Sequence, residues 1–462
     1  MQLSGAEIGA ATRGVWHGKV PAAVNGVCTD SRRFQAGNVF LALRGPHFDG
    51  HAFAASVDDN AVALIGDREG MRRWFGLENS RLEVEDTLQA LGDIAHAWRN
   101  KLTDTCVIAI SGSYGKTSLR SMLECGFAAL GFKTAATRAN LNNLIGVPAT
   151  LLAVPADADI AVIECGISER GEMARLAAMV QPDIAVLTGI TAAHSQGLGG
   201  LDGVVREKSL LPQSLREHGW CALGEGVAAL MQSHQITMQQ TCFSVDDASN
   251  GDTVNWRLDG CELDGYELRL NFQDQHSTLR LALPAAHWAA NFAFAASIIL
   301  RYLQEQGKAP ELARVVNGLK KWQPLAGRMQ RRSGGTGAVV LDDSYNANPV
   351  SMQAAIDTLR ALPGNKIAIL GDMAELGEAM QAAHAGLDVA GLDMIYLIGP
   401  HMQALAEKYP ASCWFASTED ALNALAGITF KNGDAVLVKA SRSMHLDSVV
   451  ELLCSGELTH AV

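Results

Sequence analysis

The chain lacks a basic excess. Its 462 residues hold 37 Lys and Arg against 49 Asp and Glu, a formal charge of −12. Nucleic-acid binders show the reverse balance, so that class is set aside. Small anionic ligands stay open, because a local cluster of cations and backbone N–H groups acts against the global sign. Paired cysteine motifs are missing too. The 9 cysteines run from Cys28 to Cys454 with no CxxC, which points to free thiols rather than a disulfide framework or a zinc site. MQLSGAEIGA has no basic segment followed by an apolar one, so no secretory signal is expected and a cytoplasmic setting is. The stretch nearest to a membrane span, residues 281–300, is interrupted by Pro284, His287 and Asn291 and reads as a buried helix. No solenoid-period repeat or low-complexity tract is seen. What remains is a chain 48% hydrophobic and 19% charged, long enough for two to four domains with cores of their own.

Periodicity divides that length into an α/β protein of three units, with boundaries expected at 1–102, 103–325 and 326–462. The first unit is small and mixed. VFLALRG (39–45) reads as a strand, and VEDTLQALGDIAHAWRNKL ends the unit as an amphipathic helix through Leu88, Leu91, Ala95 and Trp98. In the second, the runs CVIAI (106–110), IAVIE (160–164) and IAVLT (184–188) alternate with helix-length segments, the pattern of a parallel sheet covered on both faces. Residues 253–283 look like antiparallel strands, an edge or inserted sheet of the same unit. The third repeats the α/β alternation through AVVLD (338–342), KIAILGD (366–372), MIYLIG (394–399) and AVLVKA (435–440), an open sheet.

SGSYGKTS (111–118) lies between a strand and a helix. Gly112 and Gly115 let backbone N–H groups approach phosphate, and the helix N-terminus adds positive potential. Lys116 reaches the outer phosphates, and a Thr117 or Ser118 hydroxyl ligates Mg²⁺. Two features depart from the general pattern: Ile110 stands where it has its first glycine, and Tyr114 is bulky. A plain glycine-rich turn is the competing reading, and the strand-before, helix-after context favours phosphate. Glu164 ends a buried strand, where open α/β sheets bind ligands, and beside a phosphate loop it suits Mg²⁺. His194 also follows a strand, but alone it reads as a loop histidine. Lys208, in VVREKSLL, reads as a solvated helix lysine. LDDSYNANP (341–349) crowds Asp342, Asp343, Asn346 and Asn348 at a strand end, and Arg328 lies just upstream. Without the phosphate loop, a helix cap for the acids and a surface charge for Arg328 would be equally good readings; beside the loop, an arginine at this junction can reach across a cleft to a phosphate. TDSRR (29–33) and RGPHFDGH (44–51) bring Arg, Gly, Asp and His together as a weak signal for a second anion site.

Taken in order, these pieces resemble the Mur ligase family. TDSRRFQAGNVFLALRGPHFDGHAF resembles its uridine-nucleotide-binding domain. SGSYGKTS resembles its phosphate loop, which starts at the glycine equivalent to Gly112. NLNNLIGVPATLL (140–152), IECGISERGEM (163–173) and the AAH…REK spacing (192–208) resemble the rest of its ATPase domain. LAGRM, DDSYNANPVSM, LGDMAELGE and VLVKASRSM resemble its C-terminal domain. The resemblance implies a small mixed N-terminal domain, a central phosphate-loop ATPase with a parallel sheet, and a Rossmann-like C-terminal domain.

It also implies roles. Gly112, Ser113, Tyr114, Gly115, Lys116, Thr117 and Ser118 would cradle ATP, with Asn291 at adenine, Asp343 at ribose and Arg328 at a phosphate. Two Mg²⁺ ions would be held by Thr117, Glu164, His194 and Lys208, the last as a CO₂-derived carbamate. The catalytic set would be Lys116, Glu164, His194, Lys208 and Arg328. Asp30, Ser31, Arg32, Arg44, Gly45, Asp49, Gly50 and His51 would bind the uridine nucleotide. Asn142, Asn143, Asn346 and Asn348 would meet the other substrate groups. DDSYNANP and LGDMAELG, with Val350 rather than arginine after Pro349, match the member that adds D-alanyl-D-alanine to UDP-N-acetylmuramoyl-tripeptide. The implied protein is a monomeric cytoplasmic ligase of peptidoglycan precursor synthesis, without nucleic-acid or membrane partners. A folylpolyglutamate synthetase-like ligase and a nucleotide-dependent regulator are the alternatives. Tyr114, Cys165, Gly189, Trp288 and Ala440 depart from the family's usual residues.

Overall fold

The structure, a computed structural model, describes residues 1–191, 195–246, 253–262 and 265–455. Its first sheet takes β1 (Val15–His17), β2 (Val27–Cys28), β3 (Val39–Leu41), β6 (Ala63–Asp67) and β7 (Arg81–Val84) in the order β1-β7-β6-β3-β2, with β1 alone antiparallel. A short hairpin, β4 (Arg44–Gly45) and β5 (Phe48–Asp49), stands apart from it. The predicted strand at 39–45 is thus split between sheet and hairpin. The helix Thr87–Lys101 starts at Asp86, whose carboxylate accepts from the Gln89 N–H. Its Leu91, Ile94, Ala95 and Trp98 join the first sheet to the second unit in one apolar core. At its last turn buried Arg99 donates to the Val180 and Gln181 carbonyls and to Asp183 at 2.8 Å.

The second sheet is wholly parallel: β8 (Cys106–Ser111), β9 (Thr134–Ala136), β10 (Ile160–Glu164), β11 (Ile184–Leu187), β12 (Trp220–Leu223) and β13 (Cys242–Ser244), ordered β13-β12-β11-β8-β10-β9. The chain leaves β8 toward β9 and leaves β10 across to β11. The carboxyl ends of β8 and β10 therefore flank the point where the winding direction reverses, the crevice in which such sheets take ligands. The antiparallel strands are β14 (Asn255–Glu262), β15 (Gly265–Phe272) and β16 (Gln275–Leu281). They form a sheet of their own rather than an edge of the parallel one. Leu268, Leu270 and Phe272 from it pack in one core with the helix Ala286–Glu305, each such side chain contributing roughly 1.5–3 kcal/mol on burial. Among the described residues no helix is long and apolar enough to cross a membrane.

The third sheet is β17 (Gln330–Ser333), β18 (Val339–Asp343), β19 (Asn365–Gly371), β20 (Met394–Ile398), β21 (Cys413–Phe415) and β22 (Asp434–Lys439), ordered β17-β18-β22-β19-β20-β21 with β17 alone antiparallel. The expectation of free thiols throughout is corrected at one place. Cys221 of β12 lies opposite Cys242 of β13, with Cα atoms 4.5 Å apart, and the two are disulfide-bonded. Strand register brings together two cysteines 21 positions apart, which no local motif announces.

Candidate active site

Strand β8 ends in a loop that glycine alone can form. Gly112 has φ +147°, and a Cβ there would lie 2.0 Å from the Thr188 hydroxyl; Gly115 has φ +77°. The helix Lys116–Ala129 follows. Lys116 Nζ donates to the Gly112 carbonyl at 2.8 Å, closing the loop over its own backbone. Burial draws the Lys116 ammonium down from the ordinary lysine range, Glu164 opposes this, and Arg328 adds repulsion. The loop is pinned to the end of β11. Ser113 N–H donates to the Gly189 carbonyl at 2.7 Å, the Ser113 hydroxyl donates to Thr191 O, and the Thr188 hydroxyl donates to Tyr114 O.

Tyr114, unexplained by sequence, now has a reason. A Cβ on Gly189 would sit 2.3 Å from Tyr114 Cζ and 2.5 Å from its hydroxyl oxygen. Tyr114 and Gly189 are therefore complementary: the ring fills space that a side chain at 189 would need. Trp288 is buried edge-to-face on Trp322 at 5.3 Å.

Glu164 ends β10 beside this loop, 2% exposed. Its Oε1 accepts from the Thr117 hydroxyl at 3.2 Å and from Asn142 Nδ2 at 2.9 Å, while Oε2 has no hydrogen-bond donor. Its backbone N–H is held by the Thr137 hydroxyl at 2.9 Å. A buried carboxylate whose Oε1 stands beside a hydroxyl on a phosphate loop fits a divalent cation. Among the described residues no three His, Cys, Asp or Glu side chains cluster as a metal cage. A cation here would take its remaining ligands from phosphate and water, the usual habit of Mg²⁺. Lys208 is not the surface lysine that its sequence context suggests. It is 1% exposed on the helix Gly200–Gln213. Burial first, and the Lys116 charge second, hold its ammonium well below the ordinary lysine range. His194 lies outside the described residues.

The opposite wall comes from the third unit. Arg328 follows Gly327 (φ +69°) and stacks on Tyr345, 4.3 Å from the ring centroid, with Arg442 over the same ring at 5.8 Å. Asp343 accepts from Lys439 Nζ at 2.6 Å and from Met329 N–H at 2.9 Å. Asn346 Oδ1 accepts from Ala347 N–H. Asn348 caps the helix Pro349–Arg360 in a reciprocal box with Ser351, as the Asn-Pro pair predicts. Its Nδ2 also crosses to the phosphate loop, donating to Ser113 O at 3.2 Å. The cap residue thus also touches the phosphate loop. Between the walls lies a cavity of about 610 Å³ lined by Ser113–Ser118, Asn142, Asn143, Glu164, Asn291, Arg328, Asp343, Asn346 and Asn348. His287, Lys439 and Arg442 line it too; sequence reasoning assigned them nothing, although VLVKASRSM held two of them.

The first-unit residues gather elsewhere. Asp30 caps the turn Ser31–Arg33 and pairs with Arg32 at 2.9 Å. Arg44 reaches Asp67 at 3.1 Å and Glu69 at 3.3 Å. Buried His51 bonds Asp49 at 2.6 Å and accepts from Asp67 N–H. Gly45 and Gly50 let Phe48 and Leu43 come close, since a Cβ on either would lie under 3 Å from them. None of these lines the cleft.

Three family models match the chain in sequence: Mur ligase family, catalytic domain, over residues 23–99; Mur ligase middle domain over 110–299; and Mur ligase, glutamate ligase domain over 327–442. The chain is similar to UDP-N-acetylmuramoyl-tripeptide--D-alanyl-D-alanine ligase of Escherichia coli, 31% identical with 93% of this chain and 94% of the relative covered. It is 32% identical to the enzyme of the same name from Synechocystis, with 94% and 93% covered. Among solved structures, MurF from Acinetobacter baumannii superposes with a TM-score of 0.86 at 29% identity, covering 98% and 99%. MurF from Thermotoga maritima in complex with ADP gives 0.79 at 25%, covering 93% and 97%. The chain belongs to the Mur ligase family.

Proposed function

We propose that the chain joins D-alanyl-D-alanine to UDP-N-acetylmuramoyl-tripeptide, converting ATP to ADP and phosphate. The observation that carries this reading is the single cleft in which the phosphate loop faces Arg328, Asp343 and Asn348. The relatives' names supply the substrates, and the ADP complex of the Thermotoga structure supports ATP. A carboxylate is a poor electrophile, so its oxygen first attacks the γ-phosphorus and ADP leaves. The amine then attacks the acyl carbon, and phosphate leaves from the tetrahedral intermediate. The first step is mainly positioning and charge neutralisation. Lys116, the loop N–H groups and Arg328 do this, and the same cations face the oxyanion of the second.

Thr117 and Glu164 would hold Mg²⁺, with His194 as a further ligand, and the ions would supply charge neutralisation on phosphate oxygens. Lys208 is read as a carbamate: its neutral amine attacks CO₂ and loses a proton, which turns a costly buried cation into an anionic ligand. Its burial and depressed basicity support this. Asn291 would meet adenine, Asp343 ribose, and the cluster at Asp30–Arg32 and Arg44–His51 the uridine nucleotide. The protein is read as a monomer, and the ATP requirement fits the cytoplasm. The domain limits proposed are 1–102, 103–325 and 326–462.

The test is turnover with ATP, UDP-N-acetylmuramoyl-tripeptide and varied amines. ADP and the pentapeptide product are expected with D-alanyl-D-alanine. Turnover with another amino acid and none with the dipeptide would sink the substrate assignment. Mycobacterium tuberculosis folylpolyglutamate synthase shares the fold at 16% identity, so a folate acceptor belongs in the same panel. A regulator would release ADP slowly whatever the acceptor.

A further inference from the structure

The helix after the phosphate loop carries an arginine that none of the roles above uses. Arg120 points inward and is 4% exposed. Its Nε has no hydrogen-bond acceptor and lies 3.6 Å from Glu164 Oε2, the oxygen that has no donor. Its Nη1 donates to the Thr137 carbonyl, and the Thr137 hydroxyl accepts from the Glu164 backbone N–H. Arg120 therefore faces Glu164 from two sides, the side chain directly and the main chain through one residue. Behind it Glu124 lies 3.5 Å away and pairs with Arg138 at 2.7 Å, which is exposed. Charges alternate from surface to site: Arg138, Glu124, Arg120, Glu164.

A buried guanidinium is expensive to desolvate, and an unbranched apolar side chain would fill the same inward position. What arginine adds at this place is a charge beside the inner oxygen of Glu164. Oε1, with the Thr117 hydroxyl and Asn142 beside it, is then the oxygen turned toward the cleft.

We propose that Arg120 is a positioning residue for Glu164: it anchors Oε2 and so presents Oε1 beside Thr117 to a divalent cation on the nucleotide phosphates. The proposal rests on the reading of Glu164 as a cation ligand. It concerns the strength of cation binding, not the chemical steps.

The experiment is calorimetric titration of the full chain with ADP, once in EDTA and once in Mg²⁺, joined by direct Mn²⁺ titration followed by electron paramagnetic resonance. In the wild type, Mg²⁺ tightens ADP. In Arg120→Met, ADP affinity in EDTA stays within about 2-fold of wild type. The Mg²⁺-dependent gain and the Mn²⁺ affinity fall by about 10-fold or more, as expected when a group that orients a metal ligand is lost. Arg120→Lys restores most of the gain. If Arg120→Met does not fold, Arg120→Gln, which keeps a donor for Thr137 but no charge, carries the same expectations. An undiminished Mg²⁺ gain overturns the proposal. Equal losses with and without Mg²⁺ also overturn it, because damage to the loop would act on both. A wild type that shows no Mg²⁺ gain at all sinks the reading of Glu164 instead.

Discussion

Gly189→Ala is predicted to unseat Tyr114. The added Cβ would lie 2.3 Å from Tyr114 Cζ, 2.5 Å from its hydroxyl oxygen and 2.8 Å from Cε1. Gly189 is not among the positive-φ residues, so the backbone accepts alanine and the penalty is steric. Overpacking of this kind costs about 1–3 kcal/mol. The ring is half-buried at the cleft and can swing outward, which favours the lower half of that range. For a unit of roughly 150–250 residues each kcal/mol moves the melting point by about 2–4 °C. A loss of about 2–8 °C is expected for the transition that reports the parallel sheet. The loop should move with the ring, because Ser113 N–H and the Gly189 carbonyl are bonded at 2.7 Å. KM for ATP should rise several-fold.

The decisive measurement is a double-mutant cycle read by thermal denaturation and ATP kinetics. Tyr114→Ser removes the ring, so Gly189→Ala in that background should be nearly neutral. The coupling between the two positions should be about 1 kcal/mol or more. A Gly189→Ala enzyme that melts with the wild type would refute the steric argument. So would two shifts that simply add.

Lys208→Ala should lose activity by about 100-fold or more and regain part of it with a short carboxylic acid, since the missing anion is what the acid replaces; a fully active variant would end the carbamate reading. Asn348→Asp keeps the helix cap but not the donor to Ser113 O, so stability should hold while KM for ATP rises. Asn348→Ala should in addition lose about 1 kcal/mol of stability. Burial holds the His287 imidazole down to about 4. The unfolded chain takes up that proton near pH ~6.5 and the folded one does not until about pH 4, so the stabilisation is full above ~6.5 and is lost as pH falls toward 4. The loss is about 3 kcal/mol at most. His287→Gln should flatten the slope of denaturation midpoint against pH in that window.

Much of this was legible because the strands at the site are short, wholly apolar and bounded by glycine or an acid. CVIAI, IAVIE and IAVLT became β8, β10 and β11 almost residue for residue. Asn348-Pro349 announced its helix for a reason of local geometry. The misses are all long-range. Nothing local distinguishes Lys208 from a solvated lysine; it is buried because its helix packs against β8 and β11. Tyr114 looked anomalous because its partner, Gly189, lies just beyond the end of β11, distant in sequence. Arg120 follows the loop by two residues yet faces a carboxylate 44 positions on, and Cys221 meets Cys242 through strand register alone. Periodicity says which face a residue takes and leaves open what stands opposite.

The acidic balance of the chain and the anionic chemistry of its cleft are reconciled by pairing. Lys439 is neutralised by Asp343 at 2.6 Å, Arg120 by Glu164, and Arg442 leans on Asp447 at 3.5 Å. Among the described residues no carboxylate lies within ion-pair distance of Lys116 or Arg328. These two cations, one from each wall, have no ion-pair partner inside a partly desolvated space, where a charge acts more strongly than at the surface; Glu164 acts on Lys116 only from beyond that distance. Burial lowers the basicity of Lys116 and the Arg328 charge adds to it; an anion that enters between the two cations relieves both. A polyphosphate is such an anion, and it must touch both walls to satisfy both. Net charge therefore says little about what this protein binds. What decides is which cations the fold leaves unpaired, and it leaves them facing one another.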